Sequence, residues 1–179
     1  EMQKTCNELE NLRERYKRVK VDDTSSVFNT EWLLAIELGY QLQVAQAMAG
    51  IANGDIVPKL KLVRQIQDTR GRVVQMINLE RREWLGVKKN AVDVVHEGMS
   101  DVVNGSGGTG HSAQLSYTTL CGKTGTAQWG DTRKNQRLAW FAGFLPEDNP
   151  RYSFAVLYEG RPNETVSGGQ MAAPMVKRF

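Results

Sequence analysis

The chain has 179 residues, 40% of them hydrophobic, enough to bury a core as one domain or as part of a larger one, which excludes a disordered polypeptide. Lys and Arg number 23 against 20 Asp and Glu, a net charge of +3, and so weak and scattered a positive field excludes an electrostatic nucleic-acid binder. The two cysteines, Cys6 and Cys121, stand too far apart for a metal-ligand pair or a disulfide framework, and no metal or cofactor is implied.

Residues 1–20 are highly charged, with Leu9, Leu12, Tyr16 and Val19 at helical spacing, and read as a surface or linker helix with one narrow apolar stripe. Residues 22–30 read as a loop. Residues 42–53 are Ala-rich, put Val44, Met48 and Ile51 on one face and stop at Asn53-Gly54, as a buried helix would. Residues 59–67 and 72–76 are aliphatic and flank Asp68-Thr69-Arg70-Gly71, which predicts a β-hairpin. Val87, Ala91, Val94, Val95 and Val102 recur at helical spacing up to Asn104-Gly105 and predict a second amphipathic helix.

Residues 120–128 predict a strand. Residues 138–145 are apolar on both alternating faces, as in a central strand covered on each side. A turn at Pro146-Glu147-Asp148-Asn149-Pro150 leads to a further strand over residues 152–159. After Gly168-Gly169, Met171, Met175 and Phe179 mark one face of a final helix. The expected class is α+β, an antiparallel sheet packed with helices. No stretch approaches the ~20 apolar residues of a membrane span, so any anchor or export signal is expected outside these residues.

The chemistry concentrates at Lys123-Thr124-Gly125-Thr126. A lysine and two hydroxyls on one side of an extended backbone suit a carboxylate, and Gly125 lets a substrate backbone approach an edge strand that pairs with extended peptide. Residues 105–112 fit P-loop spacing except that His111 replaces the lysine, and a helix rather than a strand precedes them, so a nucleotide site is disfavoured. Cys121 with His111 or His96 as base would make a nucleophile, but a small packed thiol is the simpler reading, with His96 at the surface or half-buried. Trp32, Trp84, Trp129 and Trp140 read as packing residues, with Trp129 placed to line a groove.

Lys123-Thr124-Gly125-Thr126-Ala127 resembles the lysine-threonine-glycine motif of class B penicillin-binding proteins. The flanks agree in order. Gln43-Val44-Ala45-Gln46-Ala47-Met48 with Ile51-Ala52-Asn53-Gly54 resembles an earlier helix of that family, and Val103 through Gly110 the segment before the motif strand. Ala139-Trp140-Phe141-Ala142-Gly143-Phe144 resembles the following strand, and Gly168 through Pro174 the start of the terminal helix. The resemblance covers residues 35–179, while residues 1–30 show none. It implies the penicillin-binding transpeptidase fold, incomplete here, with residues 31–179 as the C-terminal portion of that domain and residues 1–30 a charged helix and loop of unassigned role.

The resemblance further implies serine acyl transfer on peptidoglycan stem peptides ending in D-Ala-D-Ala, with β-lactams as mimics. Lys123, Thr124, Gly125 and Thr126 would bind the substrate carboxylate, and the backbone N–H of Thr126 would supply an oxyanion-hole donor. The implied partners are the rest of the transpeptidase domain and cell-wall assembly proteins, at the outer face of the bacterial cytoplasmic membrane. The family's Ser-x-x-Lys and Ser-x-Asn motifs are absent, and Leu38-Gly39-Tyr40-Gln41 stands where a Thr-Pro pair usually leads into the helix. The serine nucleophile is therefore expected outside this chain. The alternative is a non-catalytic peptide-carboxylate-binding or scaffold module of the same fold.

Overall fold

The computed structural model describes residues 25–61, 63–78, 80–129, 133 and 135–178, with side chains from residue 39 onward. The expected helix over residues 1–20 lies outside this range. The chain divides into two compact units, Glu1–Gly39 and Tyr40–Phe179. Helix α1 is Ser25–Ala52. Its start corrects the sequence reading, since residues 25–30 are helical rather than a loop. Ser, Thr and Asn favour caps and turns in isolation, but a helix nucleated by the Ala- and Leu-rich segment beyond them propagates back through them. The other end is as expected: Gly54 takes φ +86°, and Asn53 N and Gly54 N close on Ala49 O and Ile51 O.

Two small antiparallel pairs follow. β1 (Ile56–Pro58) pairs with β4 (Arg81–Trp84), and β2 (Gln65–Gln67) with β3 (Val73–Met76). The second is the expected hairpin, shorter than its apolar run. Its turn is fastened by Asp68, whose Oδ1 accepts from Arg70 N and Arg72 N, both at 2.9 Å, and whose Oδ2 accepts from Arg72 Nε at 2.7 Å. The β1–β4 pair left no signal in the sequence because such short strands hold barely one alternation. It packs on α1 at Gly50 and Gln46. A Cβ on Gly50 would stand 3.0 Å from Val57 Cγ2, and the buried Gln46 donates to Pro58 O at 2.6 Å while accepting from Arg82 Nη1 at 3.1 Å.

Helix α2 (Lys89–Asn104) exists where the periodicity placed it but turns a different face inward. Val92, Met99 and Val103 are buried, whereas Val94 and Val95 of the expected stripe are 67% and 44% exposed. Two stripes overlap on this valine-rich helix, and the one spaced four, three and four residues apart through His96 meets the sheet.

The main sheet has three antiparallel strands in the order β5 (Cys121–Trp129), β6 (Gln136–Leu145), β7 (Tyr152–Glu159), with β6 central. Both faces of β6 are covered. Ala139 and Phe141 join Val103, Ala113, Leu120, Val166, Ala172, Ala173 and Val176 on one face; Phe144 joins Cys121 and Met99 on the other, under Met48, Ile51 and Ala52 of α1. Burying each phenylalanine contributes roughly 2–3 kcal/mol.

The chain then winds as a single π turn, Gly168–Ala172, and a 3-10 stretch, Ala173–Arg178. Ala172, Ala173 and Val176 are buried here, with Met171 only packed against that cluster, so the inward face is not the expected Met171-Met175-Phe179 line. Changing from π to 3-10 winding shifts the angular phase that a 3.6-residue repeat assumes. Phe179 lies outside the described residues.

Candidate functional site

The motif strand is the edge β5, with Lys123 facing Ala142, Thr124 Phe141, Gly125 Trp140 and Thr126 Ala139 across the ladder. Strand alternation therefore puts Thr124 and Thr126 on the face shared with Ala139 and Phe141, and Lys123 and Gly125 on the other. This corrects the picture of charge and hydroxyls on one side. Lys123 is exposed, and its ammonium folds over the edge to donate to the carbonyl of its own neighbour, Thr124, at 2.9 Å. Among the described residues no carboxylate pairs with it.

Beside Thr124, Gly125 and Thr126 lies a groove of about 490 Å³, closed by Gly108, Thr109, His111 and Ser112 on one flank and by Ser167, Gly168, Gly169 and Gln170 on the other. Three chain segments meet there through hydroxyls. Thr109 Oγ1 and Thr124 Oγ1 lie 2.8 Å apart, Ser112 Oγ donates to Gly169 O at 2.6 Å, and Thr126 Oγ1 accepts from Gly168 N at 3.4 Å. Each hydroxyl has a single proton, so the Thr109–Thr124 pair keeps one to spare and Thr126 keeps its own. The groove thus offers two unspent O–H donors, which suit an anionic, planar acceptor such as a carboxylate, while the Lys123 ammonium lies outside its lining, on the Thr124 carbonyl.

None of Thr109, Ser112 and residues 167–170 is among the site residues that the sequence points to. Their place at the site depends on β5 lying between them. Ser167 Oγ also accepts from Gln170 N at 3.3 Å, fixing the entry to the terminal turn.

The rival sites dissolve in the structure. Cys121 is fully buried, its Sγ against His96 O, and burial first, then the charge of Glu147, pushes its pKa up to about 12. His96 Nε2 donates instead to Ile51 O at 2.8 Å and its ring sits 4.8 Å from Phe144, while His111 Nδ1 donates to Val103 O at 3.2 Å. Residues 105–110 leave the end of α2 and enter a single 3-10 turn, His111–Ala113, without the strand and helix of a phosphate loop. Trp129 is half-buried and does not line the groove, and Trp84 is half exposed, with Arg81 Cζ 4.3 Å above its ring. No group of metal ligands forms among the described residues, and no described helix is long and apolar enough to cross a membrane.

The family described as penicillin binding protein transpeptidase domain matches residues 40–179. The chain belongs to that family. The peptidoglycan D,D-transpeptidase MrdA of Haemophilus influenzae is 30% identical over 187 aligned residues, covering 93% of this chain and 26% of the relative. Penicillin-binding protein A of Mycobacterium tuberculosis, solved as a ceftriaxone acyl-enzyme complex, superposes with a TM-score of 0.64 at 25% identity, over 73% of this chain and 29% of that one. The same protein's penicillin G acyl-enzyme complex gives 0.61 at 26% identity, over 75% and 29%. The helices and antiparallel sheet are those of the penicillin-binding transpeptidase fold, and this chain carries part of it.

The first residues have a different affinity. Residues 1–54 match the fumarate reductase flavoprotein C-terminal family, and 48 residues are 62% identical to the flavoprotein subunit of a Serratia strain, covering 27% of this chain and 8% of that protein. The corresponding Escherichia coli subunit is 60% identical over 48 residues. This corrects the reading that residues 1–30 resemble nothing. The transpeptidase family match begins at Tyr40, at the boundary between the two compact units, and overlaps the fumarate reductase match over residues 40–54. The chain thus spans about a quarter of the length of its transpeptidase relative and under a tenth of its fumarate reductase relatives.

Proposed function

We propose that this chain carries the carboxylate-binding half of a serine D,D-transpeptidase site that takes peptidoglycan stem peptides ending in D-Ala-D-Ala and the β-lactams that mimic them. The carrying observation is the groove beside Thr124, Gly125 and Thr126, with two spare hydroxyl donors, next in sequence to a lysine whose ammonium pairs with no carboxylate among the described residues. Lys123 attracts the terminal carboxylate, Thr124 and Thr126 hydrogen-bond it, and the glycine at 125 admits the peptide backbone along the edge strand. The Thr126 N–H serves as an oxyanion-hole donor, a role typically worth ~3–4 kcal/mol of transition-state stabilisation.

The acyl-accepting serine and its lysine come from residues outside this sequence, since neither serine motif occurs in it. The exposed Val94 and Val95 on α2 fit docking of the remaining transpeptidase domain, an apolar partner for an apolar stripe. Its place is the bacterial cell envelope, at the outer face of the cytoplasmic membrane, with cell-wall assembly proteins as further partners. Residues 40–179, which the family model matches, supply the transpeptidase portion.

Incubation with a fluorescent penicillin followed by intact-mass spectrometry tests the division of labour. The 179-residue chain is expected to gain no penicilloyl mass, because losing nucleophile and base as a unit removes nearly all acylation. A chain in which a segment bearing Ser-x-x-Lys precedes Tyr40 is expected to gain it. An adduct on the 179-residue chain would end this reading. The second reading, a carboxylate-binding scaffold, is favoured by the absence of both serine motifs and stands if the extended chain also stays unmodified while the groove still binds peptide.

A further inference from the structure

The Thr109–Thr124 hydroxyl pair joins the motif strand to a loop that no lysine-threonine-glycine pattern includes. We propose that Thr109 is a positioning residue: it donates its hydroxyl proton to Thr124 Oγ1 and so aims the Thr124 proton into the groove, at the ligand carboxylate. The inference rests on the carboxylate-binding reading of that groove.

Thr109 is held with little freedom to do anything else. On one side, Gly108 lies so close to the end of α2 that a Cβ there would stand 2.6 Å from Asp101 O and closer still to Val102 O. On the other, Gly110 N donates to Val102 O at 2.8 Å. A Cβ on Gly169 would run into Thr109 O, so the terminal turn seats its backbone directly on the Thr109 carbonyl. Two close backbone approaches and a hydrogen bond thus fix the loop, and the hydroxyl is presented to Thr124 from a rigid mount.

The two oxygens hold two protons between them, and one is consumed in their mutual bond. With Thr124 as donor to Thr109, the spare proton lies on Thr109, off the motif strand, and Thr124 turns only lone pairs toward a carboxylate seated beside Thr126. With Thr109 as donor, Thr124 donates outward, and each hydrogen bond in the chain from Thr109 to Thr124 to carboxylate polarises the next. An incoming carboxylate therefore selects the second arrangement, and Thr109 makes it available.

The test is a titration of the 15N-labelled chain with the dipeptide D-alanyl-D-alanine, following the amide signals of Thr124, Gly125 and Thr126, together with thermal unfolding. The unaltered chain is expected to show saturable shifts at millimolar dipeptide. Thr109→Val, which keeps the shape and removes the hydroxyl, is expected to weaken binding about fivefold, the effect of one neutral hydrogen bond, with Tm unchanged. Thr109→Ser is expected to restore the affinity. Equal affinities for the unaltered chain and Thr109→Val overturn the role of Thr109 and leave the groove reading intact. Weakened binding in both variants alongside a lowered Tm makes Thr109 purely structural and overturns it as well. Absence of any shift in the unaltered chain overturns the carboxylate reading itself.

Discussion

The Phe141 ring lies over Gly122 of the neighbouring strand, so that a Cβ on Gly122 would stand 2.5 Å from the ring's Cζ. Phe141 is fully buried in the middle of the sheet and its ring is not a flexible tip that can step aside. Gly122→Ala is therefore expected to destabilise the chain by ~1–3 kcal/mol, the usual cost of overpacking, read as a lower midpoint in urea with an unchanged slope. Because Gly122 directly precedes Lys123, the substitution is also expected to disturb the motif amides in an NMR spectrum.

Cys121 is expected to resist alkylation. With its pKa pushed up to about 12 by burial, the thiol carries almost no thiolate near neutral pH. Iodoacetamide treatment at pH 8, followed by peptide mapping, is expected to leave the Cys121 peptide unmodified under native conditions and to label it in urea. Rapid native labelling would revive the thiol as a nucleophile.

Glu80 sets an acid limit on the β1–β4 region. Side-chain hydrogen bonds from Lys59 at 2.8 Å and Lys61 at 2.7 Å hold its pKa down at about 2. A carboxylate whose folded pKa is depressed adds stability that is complete above its unfolded value of about 4.5 and is lost as pH falls through about 2. An NMR titration of the Glu80 carboxyl carbon is expected to show a midpoint well below that of an ordinary glutamate, moving upward in high salt and in Lys59→Ala. An unshifted midpoint would dismiss the lysine bridge.

Gln46 is 6% exposed and spends both ends of its amide, on Pro58 O and on Arg82 Nη1. Gln46→Ala leaves the Pro58 carbonyl without that donor, and a loss of ~1–3 kcal/mol is expected. Gln46→Glu swaps the donor for a second acceptor facing the Pro58 carbonyl and is expected to cost at least as much. Urea unfolding of both variants checks the order.

Much was legible in the sequence because it is written in local patterns. The Gly54 and Gly71 turns follow from backbone conformations that few other residues adopt, and φ +86° and +78° are what the structure shows. The strands around Pro146 to Pro150 follow from alternation and turn chemistry, and the Lys123 motif from residue types at fixed spacing. The first residues were different: their likeness to fumarate reductase flavoproteins leaves no trace in charge or periodicity, which serve many helices equally.

The sequence by itself thus determined which segments form the elements and which residue types bear the chemistry, since backbone preference and side-chain inventory act within a few residues. Tertiary structure decided the rest. It chose the Val92-Met99-Val103 face of α2 over the more obvious valine stripe, and it turned Lys123 away from the hydroxyls that follow it. It built the groove from pairs 15 and 57 residues apart, Thr109 with Thr124 and Ser112 with Gly169. The physical reason is that such contacts depend on how closely two backbones approach, and that approach is set by glycines such as Gly108, Gly122 and Gly169 only once the strands and helices are packed together.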